Sequence, residues 1–464
     1  MIKENPTAYE RYLPLVTAVA MFMQSLDGTI LNTSLPSIAK SMNYSPLEMQ
    51  SVIVSYTLTL ALFIPLSGWL SDRFGTRNMF ILAVFLFTLG SLCCAIAVDL
   101  LTLNLSRILQ AIGGSMMVPI ARLAILYQYP RSELLKIMNY ITIPGLLGLV
   151  VGPSLGGFLS DYFSWHWIFL VNLPVGIIGI VLAWKIMPNF KQKVGKLDIL
   201  GLSYFSLALV LITLAMELSS VGINHYTLIL GLVFTGGLFF VLYYRHFKKS
   251  NQPIINLNLF KIRTLRIGLI GSLITRFGIS GLPFLLPLMM QVGFGFSASK
   301  AGMMLLPSAL TTIAVKPWIP KIVKRFGYRN ILTSNTLFLA AIIFVFSFMQ
   351  QDTPLVYYIL LMIAYGAFTS IQMTSMNTIS LSDLNDEQAS GGNSLLTIMQ
   401  QLSVSFGISI AALVLAFYKD QMDFYRGDLI SSFHYTLITL AGLTALSSLT
   451  FTKLKRDDGE KMSG

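Results

Sequence analysis

Runs of apolar residues recur along the whole chain, roughly one in every 33 residues, and a bilayer core takes about 20 such residues per helix. No other feature narrows the fold as much. Fourteen segments of that kind can be counted, the first beginning near Leu13, with short loops between them. Lipid offers a backbone no hydrogen-bond partner, so only helices and closed barrels cross it. Barrel strands are about ten residues long and alternate in polarity, which these segments do not. The expected fold class is an all-α polytopic membrane protein with 14 transmembrane helices. Charge content agrees: 11% of the 464 residues are charged and 55% hydrophobic, against about 25% charged in a soluble domain. No soluble domain fits between the spans. No cleavable signal peptide is evident either, because the first apolar segment is long and further spans follow at once.

An even number of spans puts both termini on one side, and the basic residues say which. Of 32 lysines and arginines, only Lys40, Lys300, Lys419 and Arg426 fall in segments on the side away from the termini. Arg107, Arg122, Lys185, Arg276 and Lys316 lie in spans or at their ends. The others collect on the side of the termini, which the positive-inside rule makes cytoplasmic. That distribution explains the net charge of +12 without a nucleic-acid partner. There is no phosphate-binding loop, so ATP is not the energy source. His166, His225, His246 and His434 are scattered, and Cys93 and Cys94 are neighbours that point apart on a helix. Neither a metal site nor a disulfide framework follows. No cofactor site and no nucleophile elbow is visible, so an enzyme is not expected.

Basic loops break the chain after the sixth and the eighth span. The expected domains are an N-terminal six-helix bundle over 1–190, an inserted helix pair over 191–250 and a C-terminal six-helix bundle over 251–464. A short repeat supports two equivalent bundles. Asp72-Arg-Phe-Gly-Thr-Arg77 follows the second span, and Lys324-Arg-Phe-Gly-Tyr-Arg329 follows the second span of the last six. Parallel six-span halves are a recurring transporter plan.

Asp27 is the outstanding residue. A charge at the middle of a transmembrane helix costs roughly 2.5–3.5 kcal/mol on insertion scales, so one that is kept usually faces a cavity and works. Helix arithmetic puts Asp27 about 12 Å inside the outer end of span one, and Arg107 about 8 Å inside that of span four. The two can share a depth and form a proton-coupling pair. Arg107 has two readings: it snorkels to the outer headgroups, or it faces the interior with Gln110, which follows on the same helical face. Burial raises a carboxyl pKa and a guanidinium lowers it, so the separation of the two decides how Asp27 titrates.

Gly68, Asp72, Arg73, Gly75 and Arg77 form a turn after span two. Gly75 suits a tight turn. Asp72 is not needed for a positive-inside loop, and it reads as part of an ion-pair latch. Arg122, about 30 Å down span four, reaches the same level as a candidate partner. Gly148, Gly152, Pro153, Gly156 and Gly157 form a small-residue stripe in span five that allows close helix approach. Gln24, Asn32, Gln110, Arg276, Gln372, Asn377 and Gln400 are polar points that read as the lining of a substrate cavity, or as interhelical hydrogen bonds. Met21, Phe22, Met23, Met289 and Met290 read as its apolar wall, or as ordinary packing. No Asp or Glu lies deep in the second half.

These residues resemble the major facilitator superfamily, and within it the fourteen-span drug:proton antiporters of the QacA/EmrB type. Gly68–Phe80 resembles the family's loop motif, Leu103–Pro119 its span-four motif with Arg107 in the arginine place and Ala111 where glycine is usual, and Gly148–Gly157 its span-five antiporter motif. Leu26–Asn32 resembles the span-one signature of the fourteen-span group, and Trp165–Gly176 its span-six start. The resemblance implies two six-helix bundles around a central cavity with two inserted helices. It implies alternating access, with export of small amphiphilic organic molecules driven by proton entry. It further implies a chain that works as a monomer in the bacterial cytoplasmic (inner) membrane with both termini cytoplasmic. Its partners would be a small-molecule substrate, protons and the lipid bilayer. Lys324, where the first half has Asp72, makes the latch one-sided. The missing second membrane acid argues against divalent cations as substrates. Dedicated export of one endogenous metabolite, such as a siderophore, is the rival within transport; a non-transporting membrane sensor or scaffold is the rival outside it.

Overall fold

A computed structural model describes residues 8–129, 131–192, 194–220, 226–250, 253–424, 429–455 and 457–459. In chain order its helices are α1 (Ala8–Met42), α2 (Gln50–Phe74), α3 (Thr76–Ala95), α4 (Leu100–Gln128), α5 (Arg131–Tyr162), α6 (Trp167–Leu170), α7 (Asn172–Ile186), α8 (Ile199–Ser220), α9 (Tyr226–Lys249), α10 (Arg263–Ile279), α11 (Leu282–Leu288), α12 (Ala298–Ala314), α13 (Ile319–Phe326), α14 (Tyr328–Phe346), α15 (Leu355–Leu381), α16 (Asp386–Phe424) and α17 (Leu429–Phe451). No strand occurs among the described residues. Among the described residues, fourteen helical stretches are long and apolar enough to cross a membrane, as the apolar repeat requires.

Several spans are not single regular helices. The sixth is α6 and α7, with a turn at Val171 between them. The ninth runs through α10, breaks at Ser280 and Gly281, and continues as α11 with Pro283 in its first turn. A π-helical turn, Met289–Gly293, ends it. The proline lacks a backbone donor and is tolerated at a helix start, where that donor has no partner anyway. The tenth span joins α12 to α13 through the short turn Lys316–Trp318. At the start of α4, Asp99 accepts from Thr102 N at 2.7 Å and Thr102 Oγ1 at 2.8 Å, a reciprocal helix cap. Those bonds, the backbone one first, hold the Asp99 carboxyl below the usual carboxylate range.

The chain divides into two compact units. The first comprises Met1–Tyr44, Ser55–Leu197 and Ser297–Met303; the second comprises Ser45–Val54, Asp198–Phe296 and Met304–Gly464. The pair α8–α9 thus falls within the second unit.

In the first unit α1 packs along α5. Lipid tails are as apolar as leucine, so such contact depends on close packing of small residues. A Cβ at Gly148 would come within 2.7 Å of Phe22 O, and one at Gly156 within 2.1 Å of Ile30 O. Thr33 Oγ1 donates to Pro153 O at 2.9 Å and Ser34 Oγ to Gly156 O at 3.1 Å, sealing the seam with hydrogen bonds. In the second unit Ile267, Ile319, Val323, Leu332, Ile379 and Phe451 form a buried apolar cluster. There α8 and α9 are joined at one end by Asp198, 2.6 Å from His246 Nε2.

Candidate functional site

Asp27 lies in the first unit and is 1% exposed. Its Oδ2 accepts from Arg107 Nη1 at 2.8 Å, and Arg107 is equally enclosed. Arg107 therefore faces the interior, and the snorkelling reading is excluded by its burial. Oδ1 of Asp27 accepts from Gln110 Nε2 at 2.7 Å and from Asn172 Nδ2 at 3.2 Å. Arg107 Nη1 also donates to Gln110 Oε1 at 2.5 Å. Ser91 Oγ accepts from Gln110 Nε2 at 2.7 Å and from Asn172 Nδ2 at 3.3 Å. The guanidinium carbon sits 4.1 Å from the centre of the Tyr56 ring and 5.9 Å from that of Phe169. One ion pair thus gathers side chains from α1, α2, α3, α4, α6 and α7.

The local sequence explains how short side chains meet there. A Cβ at Gly90 would approach Gln110 Cα to 2.5 Å, and one at Gly113 would approach Ala83 O to 2.4 Å. These glycines let α3 and α4 touch backbone to backbone, which brings Ser91 within reach of Gln110. Asn172 opens α7 directly after the turn at Val171. Electrostatically the site balances one carboxylate against one guanidinium. A buried charge pair is tolerated only when its remaining donors and acceptors are also satisfied, and the amides and hydroxyl do that here. Chemically, such a carboxylate can take and release a proton without a metal or cofactor.

Sequence reasoning named Asp27, Arg107 and Gln110 and missed the rest. Asn172 stood inside the span-six stretch without a role. Ser91, Tyr56 and Cys94 carried no signal, since a serine, a tyrosine or a cysteine in an apolar helix is ordinary. Of the two readings open for Gln110, cavity lining or an interhelical hydrogen bond, the structure shows the second: it is fully buried, with both ends of its amide committed to the ion-pair network.

The other expected residues fall in three places. At the α2–α3 turn, Gly75 has φ 101°, a conformation that side chains disfavour. A Cβ there would also lie 2.1 Å from Asn189 Oδ1. The segment after α7 ties this turn down: Asn189 Oδ1 accepts from Arg77 N at 3.1 Å, and Phe190 O accepts from Thr76 N at 3.0 Å. The Arg73 guanidinium lies 4.9 Å from the centre of the Trp69 ring. Gly68 has open space around it. Arg122 is not the partner of Asp72: it is exposed and pairs with no carboxylate among the described residues. The Tyr127 hydroxyl donates to Asp72 Oδ1 at 2.9 Å instead, because Tyr127 lies more than a turn nearer the end of α4.

Along α5, Gly148, Gly152 and Gly156 face α1, whereas Gly157 faces Ala298 O, at 2.3 Å from an added Cβ. Gln24 Nε2 donates to Gly114 O at 3.3 Å, and Asn32 is half-buried. In the second unit the polar points bond one another across helices. Gln372 donates to Thr336 Oγ1 and accepts from Asn335 Nδ2, each at 2.8 Å. Gln400 Nε2 donates to Asn377 Oδ1 at 2.8 Å, and Arg276 Nε donates to Ser272 Oγ at 3.1 Å. Met23, Met289 and Met290 are buried packing rather than an open wall.

Comparison with known proteins places this arrangement in a family. Proteins named MdtD, for multidrug resistance, from Pectobacterium atrosepticum and Escherichia coli O6:H1 are each 42% identical to this chain. The first alignment covers 95% of both chains, the second 97% of this chain and 95% of the relative. Among solved structures, a D-xylose-proton symporter superposes with a TM-score of 0.69 at 15% identity, covering 97% of this chain and 99% of that one. An auto-inhibited POT family peptide transporter reaches 0.70 at 14% identity, covering 95% and 96%. At such identity these two speak for the fold alone. The Major Facilitator Superfamily is matched by residues 17–408, and the chain belongs to this family of membrane transporters.

Proposed function

We propose that this protein is a proton-coupled exporter of small amphiphilic organic molecules, of the multidrug type, that works by alternating access. The observation that carries the reading is the enclosed Asp27–Arg107 pair, at 2.8 Å and 1% exposure, in a chain 42% identical to relatives named for multidrug resistance. A carboxylate kept in a membrane helix is expensive, and this one is the centre of the polar network in its unit. Asp27 takes a proton from outside, which frees the exported molecule and favours return to the inward state. Release of that proton inside resets the site.

The loop charges support cytoplasmic termini, in a bacterial cytoplasmic (inner) membrane. Residues 1–190 and 251–464 act as the two bundles, with 191–250 inserted between them, and a single chain suffices. The α2–α3 turn, with Asp72 and Gly75, acts as the latch, and the α1–α5 glycine seam acts as a sliding or hinging interface. Reconstituted vesicles test the reading. Substrate addition should drive protons against the direction of substrate movement in the wild type. Asp27→Asn should lower coupled export at least tenfold, about 1.4 kcal/mol or more on the coupled step. Full proton-coupled export by Asp27→Asn would sink it.

A further inference from the structure

Asp27 is met by hydrogen-bond donors alone: Arg107 Nη1 on Oδ2, and Gln110 Nε2 and Asn172 Nδ2 on Oδ1. That shell suits a carboxylate, which only accepts. A carboxylic acid carries one hydrogen that some neighbour has to accept. Any cycle that protonates Asp27 therefore needs an acceptor where the shell now offers donors.

Gln110 cannot supply one. Its Oε1 already accepts from Arg107 Nη1 at 2.5 Å, and turning the amide would set an NH2 group against the guanidinium. Asn172 is not held in this way. Its Nδ2 reaches both Asp27 Oδ1 and Ser91 Oγ, at 3.2 and 3.3 Å. Its carbonyl oxygen takes no hydrogen bond among the described residues. Three titratable groups stand around the acid: Arg107 on α4, Tyr56 on α2 and Cys94 on α3. The Tyr56 ring carries the guanidinium, and the Cys94 thiol is 3.9 Å from Gln110 Oε1. Neither bonds Asp27, and no titratable side chain of α5, α6 or α7 bonds any member of the network.

We infer that Asn172 is the positioning residue that lets one buried pocket hold Asp27 both ionised and protonated, by a half-turn of its side-chain amide. With Asp27 ionised, Nδ2 donates to the carboxylate and to Ser91. With Asp27 protonated, Oδ1 of Asn172 occupies that place. It accepts the new O–H of Asp27 and the hydroxyl hydrogen of Ser91, which rotates to meet it. The two bonds of the Asn172 amide keep their number and reverse their direction, while those of Arg107 and Gln110 stay as they are. No backbone movement is required.

The inference rests on Asp27 being the coupling carboxylate, and one experiment separates the two. Infrared difference spectra of the purified full-length protein are recorded against pH, with 13C-labelled asparagine, for wild type, Asp27→Asn, Asn172→Ser and Asn172→Val. In the wild type, a carboxylic-acid band absent from Asp27→Asn should appear on acidification. An asparagine amide band should move with the same midpoint and stay still in both Asn172 variants. In Asn172→Val the carboxylate loses one of its three donors and keeps Arg107 and Gln110, whereas the acid hydrogen loses its one acceptor. The midpoint reads the difference between those losses and should fall, by no more than about one pH unit. Asn172→Ser, whose hydroxyl both donates and accepts, should stay near the wild-type midpoint. An Asp27 band that titrates without an asparagine response would overturn the half-turn and leave the proposed function standing. Failure of any Asp27 band to appear would overturn both. Should Asn172→Val not fold, the labelled wild type decides by itself.

Discussion

Each unit carries a glutamine buried in one long helix that donates to a hydroxyl on the preceding span. In the first unit Gln110 of α4 reaches Ser91 of α3 at 2.7 Å; in the second Gln372 of α15 reaches Thr336 of α14 at 2.8 Å. The frames match, but the contents differ. Gln110 bonds a carboxylate and a guanidinium, whereas Gln372 bonds the uncharged Asn335 and Thr336. The second network holds helices together. The first does so too, and adds a group that can change charge. The same contrast runs through the two turns of the repeat. Gly75 and Gly327 both have positive φ, 101° and 74°, and each precedes a helix. Only the first turn has an aspartate, and that aspartate has a hydroxyl partner in Tyr127. Both units bond helix to helix through a buried glutamine, and in the first that glutamine also meets a carboxylate and a guanidinium.

Four substitutions break or sharpen this contrast, in falling order of effect. Arg107→Leu removes one member of a buried pair and strands Asp27. It should cost about 3–5 kcal/mol of stability and abolish proton coupling, read by thermal unfolding in detergent and by vesicle proton flux. Gln372→Leu strands Asn335 and Thr336 without exposing a charge. It should cost about 1–3 kcal/mol and leave the pH dependence of transport where it was. A pH profile displaced by Gln372→Leu would mean that the second network is no mere brace. Gly75→Ala and Gly327→Ala both force a side chain into positive φ with extended ψ, at roughly 1–3 kcal/mol each. Gly75→Ala carries a further cost, since its new methyl also meets Asn189. Equal loss of stability in the pair would show that the Asn189 contact gives way easily.

Much of the architecture was legible because lipid leaves a chain few choices. The length of the apolar runs required helices, and their number required fourteen spans. Asp27 was legible for the same reason, being a charge that lipid would otherwise exclude. The glycines of α5 could be read as a packing seam from their spacing, because helical periodicity alone puts residues four apart on one face. Arg122 shows where this reasoning fails. Depth along a helix can be counted, but which side of that helix faces a neighbour cannot, and Tyr127 held the position instead. Gln372, Asn377 and Gln400 left two readings open for a like reason: an amide in a span looks identical in sequence whether it lines a passage or meets another amide.

The sequence by itself determined the solvent, the number of spans, the loop charge bias and the existence of a costly carboxylate in span one. All of these follow from how each residue partitions between water and lipid, which is a property of the residue and its near neighbours. Only the tertiary structure decided what surrounds that carboxylate. Ser91, Arg107, Gln110 and Asn172 are drawn to it from three helices spread over more than 80 positions. Their convergence depends on glycines that bring backbones into contact and on the turn that starts α7 at Asn172. Hydrogen-bond partners are chosen by distances of a few tenths of an ångström between elements remote in the chain, and no local preference of a residue encodes that.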